Sequence, residues 1–248
     1  MPKQSGRDSS ASSGEGQEHV YTILFQAVSH DLKTPLTVIA GSLSTLLKEG
    51  DVALNEAERH ELLETAYAGV ERLTRVVDDL LRMAKLEARM VELRLEPYAI
   101  EEVIGAAIAQ LGPLRDGRRC QVDLPPELPL VSFDFALMVH VLVNVLDNAI
   151  QYSPAESLIE VWASQAGGHC LLSVGDRGIG IPPEDRERVF EKFRRLTRAS
   201  TAGTPGGVGL GLAVAKGIVD AHGGRIWAEG REGGGTVVTV SLPLSVGR

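Results

Sequence analysis

Residues 62–83, LLETAYAGVERLTRVVDDLLRM, decide how the chain is read. Leu62, Ala66, Gly69, Leu73, Val76, Leu80 and Met83 follow one another at strict steps of four and three, with Leu63, Val70, Val77 and Ala84 running beside them. A repeat of this period keeps one face of a helix apolar, and the flanking residues make the seam broader than a two-stranded zipper needs. The spacing therefore predicts a helix packed in a bundle. Upstream, Leu24, Val28, Leu32, Pro35, Ile39, Leu43 and Leu46 form a second stripe, separated from the first by Glu49-Gly50-Asp51. Two helices joined by a short loop cannot enclose a core alone. Pairing two such hairpins into a four-helix bundle solves the problem, so a homodimer is expected.

Outward from the hairpin the composition changes on both sides. Residues 1–17 are Ser, Gly and charge with almost no apolar residue, and should form a flexible tail because burial cannot compensate their ordering entropy. The hairpin is assigned to 18–94 and a second domain to 95–245, with a hinge expected around Glu92–Pro97. In that second domain, Ala99–Leu111, Phe133–Tyr152 and Leu212–Ala221 read as helices and Glu184–Phe193 as a short one. Cys120–Leu124, Leu158–Ala163, Cys170–Val174, Arg225–Glu229 and Thr236–Leu242 read as strands, the last two joined by the glycine-rich GREGGG. Mixed without regular βαβ alternation, these elements predict an α+β fold: the helical hairpin followed by an α/β two-layer sandwich.

Composition narrows the function. At 248 residues and 44% hydrophobic, the chain has enough apolar surface for two modest cores. A formal net charge of −8 argues against direct nucleic-acid binding. Cys120 and Cys170 lack the neighbours a structural zinc site uses, and read as reduced thiols in a cytoplasmic compartment. No apolar run reaches the roughly 20 residues of a membrane span, and the start has no apolar signal core. A longer parent protein with an upstream sensor or membrane segment remains compatible with this sequence.

Four clusters carry chemistry. His30 lies midway between the seam residues Val28 and Leu32, about 200° from each around the helix, and so faces solvent. Such a histidine is usually an ordinary surface residue, but here Asp31 adjoins it as a proton acceptor and Thr34 follows one turn on. Pro35 removes a helical hydrogen bond to the Asp31 carbonyl and should bend the helix there. In the second domain Asn144, Asn148 and Gln151 share one face of an otherwise apolar helix, where they must find polar partners. Core hydrogen bonding would account for them, and a carboxamide oxygen is equally a hard ligand suited to Mg²⁺ beside phosphates. Asp176-Arg-Gly178-Ile-Gly180-Ile181-Pro182 follows a strand, and Gly206-Gly207-Val-Gly209-Leu210-Gly211-Leu212 opens a helix. Backbone amides at such a helix start bind phosphate. This last cluster lacks both the preceding strand of a dinucleotide fingerprint and the Lys-Ser/Thr pair of a P-loop.

In this order the clusters resemble the H, N, G1, F and G2 boxes of two-component sensor histidine kinases, with Phe190-Glu-Lys192-Phe193-Arg194-Arg195 as the F box, over about His19 to Pro243. The resemblance implies that His30 is the phosphoacceptor, Asp31 its general base, and Asp31 with Thr34 the pair used to dephosphorylate the regulator. It implies an ATP and Mg²⁺ site in which Asn148 holds the metal and Asp176 accepts from the adenine amino group. Around them would stand Asn144, Gln151 and Tyr152 of the N box, Gly178, Gly180 and Ile181 of the G1 box, and Phe193 and Arg194 of the F box. Gly207, Gly209, Leu210, Gly211 and Leu212 of the G2 box and Thr236 of the closing strand complete it. Many such kinases carry Lys where this chain has Gln151, which leans towards an alternative: a nucleotide-binding scaffold, or a member that mainly dephosphorylates its partner. A chaperone-like or DNA-repair ATPase of the same superfamily is a further rival, against which the H box and hairpin count. The stretches Gly207–Ala213 and Ile218–Ala228 are similar to the potassium-responsive Kdp type. A separate response regulator is the implied partner, since no receiver domain follows.

Overall fold

The computed structural model describes residues 29, 32–47, 54–112, 117–194 and 209–244. The predicted tail, the Glu49–Asp51 break, His30, Asp31, Arg195 and Gly207 lie outside the described residues. The chain divides into two compact units, one up to Asp78 and one from Asp79.

The first unit is helical. Helix α1 spans Leu32–Leu47 and α2 spans Glu56–Glu87, running on into the second unit. Asn55 starts α2 with a reciprocal cap: its Oδ1 accepts from the Glu58 N–H at 2.9 Å, while Glu58 Oε2 accepts from the Asn55 N–H at 2.8 Å. The predicted seam is the buried side, with Ala66, Gly69 and Val76 inside and Leu62 and Leu73 half-buried. Gly69 lets the helices approach closely, since a Cβ there would come 2.7 Å from Ile39 Cγ1 and 3.4 Å from the Pro35 carbonyl oxygen. The flanking Leu63, Val70 and Val77 are exposed, as are Leu36 and Leu43 of α1.

The second unit is a sandwich of helices on a five-stranded sheet. Its elements after α2 are β1 (Glu96–Tyr98), α3 (Ile100–Gln110), β2 (Cys120–Asp123), β3 (Val131–Phe133), α4 (Phe135–Tyr152), β4 (Ile159–Ala166), β5 (His169–Gly175), α5 (Gly211–Ala221), β6 (Arg225–Gly230) and β7 (Thr236–Pro243). The sheet order is β2-β4-β5-β7-β6, with β2 parallel to β4 and every other pair antiparallel. Asp134 caps α4 by accepting from the Leu137 N–H at 3.1 Å. Met138, Val141, Leu142, Val145, Leu146 and Ala149 then recur at helical spacing and are buried. Each large side chain among them contributes about 1.5–3 kcal/mol by leaving water. Helix α4 is long and apolar enough to match a membrane span by length and composition, but its apolar positions are filled by the fold's own core. His222 ties α5 to α4: its Nδ1 donates to the Ile218 carbonyl at 2.8 Å and its Nε2 accepts from the Asp134 N–H at 3.0 Å.

Three expectations need correction. Glu184–Phe193 is not one short helix but two 3₁₀ turns, Pro183–Asp185 and Arg188–Phe190, because Pro182 and Pro183 restrict its start and its apolar residues lack helical spacing. The start expected for α4 at Phe133 is instead strand β3, paired with β1 in a separate two-stranded ribbon. Pro97 lies in that ribbon, so the segment without regular structure is 90–95 rather than a hinge reaching Pro97.

Candidate nucleotide site

Helix α4 presents one half-buried polar stripe, His140, Asn144, Asp147, Asn148 and Gln151, beside residues that are buried from Met138 to Ile150. Asn148 Nδ2 donates to the Asn144 carbonyl at 2.7 Å, which anchors the carboxamide. Asn144 Nδ2 faces His140 Nε2 at 3.1 Å. Its Oδ1 faces the start of α5, where a Cβ on Gly211 would lie 3.1 Å away. Leu210, the residue before α5, offers no side-chain cap to the first amides of that helix. Asn144 of the N box and Gly211 of the G2 box therefore lie side by side.

The opposite end of α4 meets the G1 segment. Asp176 is buried, and its Oδ1 accepts from the Gly178 N–H at 2.7 Å and the Thr236 N–H at 3.2 Å. Its Oδ2 has no hydrogen-bond donor among the described residues. Burial pushes the carboxyl above its ordinary range, opposed by those two N–H groups and by the Arg231 guanidinium. Gly178 is forced by packing, because any Cβ there would overlap the Tyr152 carbonyl oxygen. The Ile179 N–H approaches that same carbonyl at 3.4 Å. Gly180 has a positive φ of 72°, which L side chains rarely adopt.

The F and G2 segments close on each other. The Phe193 N–H donates to the Gly209 carbonyl at 2.9 Å, and Gly209, at φ 72°, sits so close that a Cβ would come 2.7 Å from the Arg194 carbonyl oxygen. Phe193 itself has φ 60°, unusual for a non-glycine residue. Arg194 Nη2 pairs with Asp185 Oδ1 at 3.1 Å, so its guanidinium is held by a carboxylate here. Leu210 is buried, whereas Ile181, Leu212 and Thr34 are half-buried and Thr236 is buried. Three residues were not singled out from sequence. Asp185 passed as part of the expected short helix and Gly235 as a turn residue, although Gly235 is as constrained as Gly178, a Cβ there overlapping the Asp176 carbonyl. The third, His140, precedes Asn144 by one helical turn, and that spacing was the available signal.

No group of three or more His, Cys, Asp or Glu poised for a metal occurs among the described residues. An ion bound largely through phosphate and water, with one carboxamide from Asn148, fits what is present.

Two family models match the chain. A family described as the Histidine kinase-, DNA gyrase B-, and HSP90-like ATPase matches residues 134–246, and the His Kinase A (phospho-acceptor) domain matches residues 22–89. An ATPase layer of this type joined to a phosphoacceptor hairpin defines a class. The chain belongs to the sensor histidine kinases of two-component systems, a similarity that includes the Kdp type. Sensor protein KdpD of Escherichia coli (strain K12) is 37% identical over 227 residues, which cover 92% of this chain and 25% of that protein. The chain thus spans about a quarter of the length of the KdpD relatives. Among solved structures, the mycobacterial sensor histidine kinase MprB is 33% identical with a TM-score of 0.52, over 60% of this chain and 97% of that one. Acinetobacter baumannii histidine kinase AdeS is 25% identical with a TM-score of 0.65, over 87% of this chain and 98% of that one.

Proposed function

We propose that this chain is an ATP-dependent protein histidine kinase, with a phosphotransfer hairpin over residues 18–94 and a catalytic domain over 95–245, working as a homodimer in the cytoplasm. The observation that carries the reading is the meeting of Asn144 with the start of α5 at Gly211. Amides there are placed for phosphate, and Asp176 Oδ2 is left for the adenine amino group. Mg²⁺ bound at Asn148 would neutralise phosphate charge. An imidazole nitrogen of His30 attacks the γ-phosphorus in line; the new N–P bond replaces the bond to ADP, and the ring proton passes to Asp31. The phosphoryl group then moves to an aspartate of a separate response regulator, and Thr34 orients the water that later removes it. Gln151, Tyr152, Gly180, Ile181, Phe193, Arg194, Gly207, Leu212 and Thr236 line the nucleotide in this reading.

Asn148→Ala tests it. Mg²⁺-dependent ATP binding should be lost while helix content and molecular mass stay unchanged, followed by fluorescence titration and circular dichroism. A variant that binds ATP normally would remove the metal role, and one that unfolds would identify Asn148 as a core hydrogen-bonding residue.

A further inference from the structure

The last turns of α2 belong to the same compact unit as the sandwich, and they touch it at three points. Asp79 Oδ1 lies 2.9 Å from His140 Nε2, Leu86 packs where a Cβ on Gly217 would be 3.0 Å from its Cδ1, and Glu87 pairs with Lys192. The first contact differs from the others because both side chains are largely buried, at 14% and 16% exposure, and because His140 is also the neighbour of Asn144.

His140 Nε2 faces two groups with opposite requirements. The Asp79 carboxylate only accepts, so it needs a hydrogen on Nε2. Asn144 Nδ2 only donates, so it needs a lone pair on the same atom. One nitrogen carries one or the other. When Nε2–H donates to Asp79, the Asn144 carboxamide must turn its oxygen to the ring and its NH₂ towards Gly211 and the start of α5. When Asp79 is absent, the present placement is satisfied instead, with the oxygen at the helix start. An NH₂ group there adds a donor for phosphate, whereas a carbonyl oxygen there repels an anion.

Resting on the nucleotide reading above, we infer that His140 is a positioning residue which couples α2 to the phosphate site: Asp79 selects the ring hydrogen, and the hydrogen selects the face Asn144 turns to ATP. By linkage, ATP must in turn tighten the seating of α2 on His140.

The test uses the full chain and two probes, magnesium-ATP and adenosine, the second having no phosphate. Asp79→Ala should weaken ATP binding by at least about fivefold, the lower end of ordinary coupling energies, and leave adenosine binding unchanged. In a His140→Gln background the same change should have no effect, because a glutamine side chain offers its donor and its acceptor on separate atoms and satisfies both neighbours independently. Asp79→Asn, whose Oδ1 still accepts, should retain the affinity of the unchanged chain and guards against misfolding of the alanine variant. The inference is overturned if Asp79→Ala leaves ATP binding unaltered, if it weakens adenosine and ATP alike, or if its effect persists in the His140→Gln background. If the unchanged chain binds neither probe, the nucleotide reading itself fails.

Discussion

The hairpin and the sandwich use apolar residues in opposite ways. In the sandwich Val103, Val131, Phe133, Met138, Val141, Ile159, Val214 and Ile218 are fully buried, each at 0% exposure. In the hairpin Leu36, Leu63 and Val70 are 49%, 52% and 47% exposed, although they run beside a buried seam. A core that closes on itself needs nothing further. Helices that keep a row of Leu and Val in water call for another surface, and in the proposed homodimer a second copy of the same hairpin would supply one by symmetry.

The contrast can be broken at Gly178, where the sandwich is tightest. Gly178→Ala drives a methyl group into the Tyr152 carbonyl and should cost about 3 kcal/mol, together with nucleotide binding. Urea unfolding monitored by tryptophan fluorescence measures it, and an unchanged midpoint would mean that the close approach is not real. The hairpin should respond differently. Val70→Glu puts a charge on an exposed residue, so the melting of the sandwich should hold while the dimer mass in light scattering falls to that of one chain. A dimer that survives would place the association surface elsewhere.

Much of this contrast was legible in the sequence, for a physical reason. The four-three rhythm of Leu62 to Met83 is a direct image of helix geometry, and the residues it selected are the ones turned inward. The boundaries of α3, α4 and α5 followed from long apolar repeats, with α4 shortened by its Asp134 cap. Short elements left no such image. The β1–β3 ribbon pairs only Glu96–Tyr98 with Val131–Phe133, too few residues to show alternation, and one of them is a proline. Within the site, Asp176, Gly178 and Asn144 announced themselves by motif. Gly235 and His140 stand out only through what the fold brings beside them, Asp176 and Asp79, which lie 59 and 61 residues away in sequence.

Asp176 offers a smaller effect that sharpens the account. Burial raises its carboxyl pKa above the unfolded value, so the folded state holds the proton more tightly. Stability from this group is present below the unfolded pKa and falls as pH rises through the raised folded value. Adenine recognition needs the opposite, a carboxylate that accepts, so ATP affinity should fall as pH drops through that same raised value. Asp176→Asn should flatten the stability profile in this window. Melting temperatures and ATP titrations between the acid and neutral range, on both proteins, check the two slopes; equal slopes in both proteins would remove Asp176 from the adenine site.

The central claim is that the hairpin accepts the phosphate and the sandwich supplies it. Incubating the chain with γ-labelled ATP and Mg²⁺, beside a His30→Gln variant, tests it most directly. The account predicts acid-labile, alkali-stable label on the unchanged chain, none on the variant, and nearly equal ATP affinity for both. Label that persists on His30→Gln, or ATP affinity lost together with the label, would contradict it.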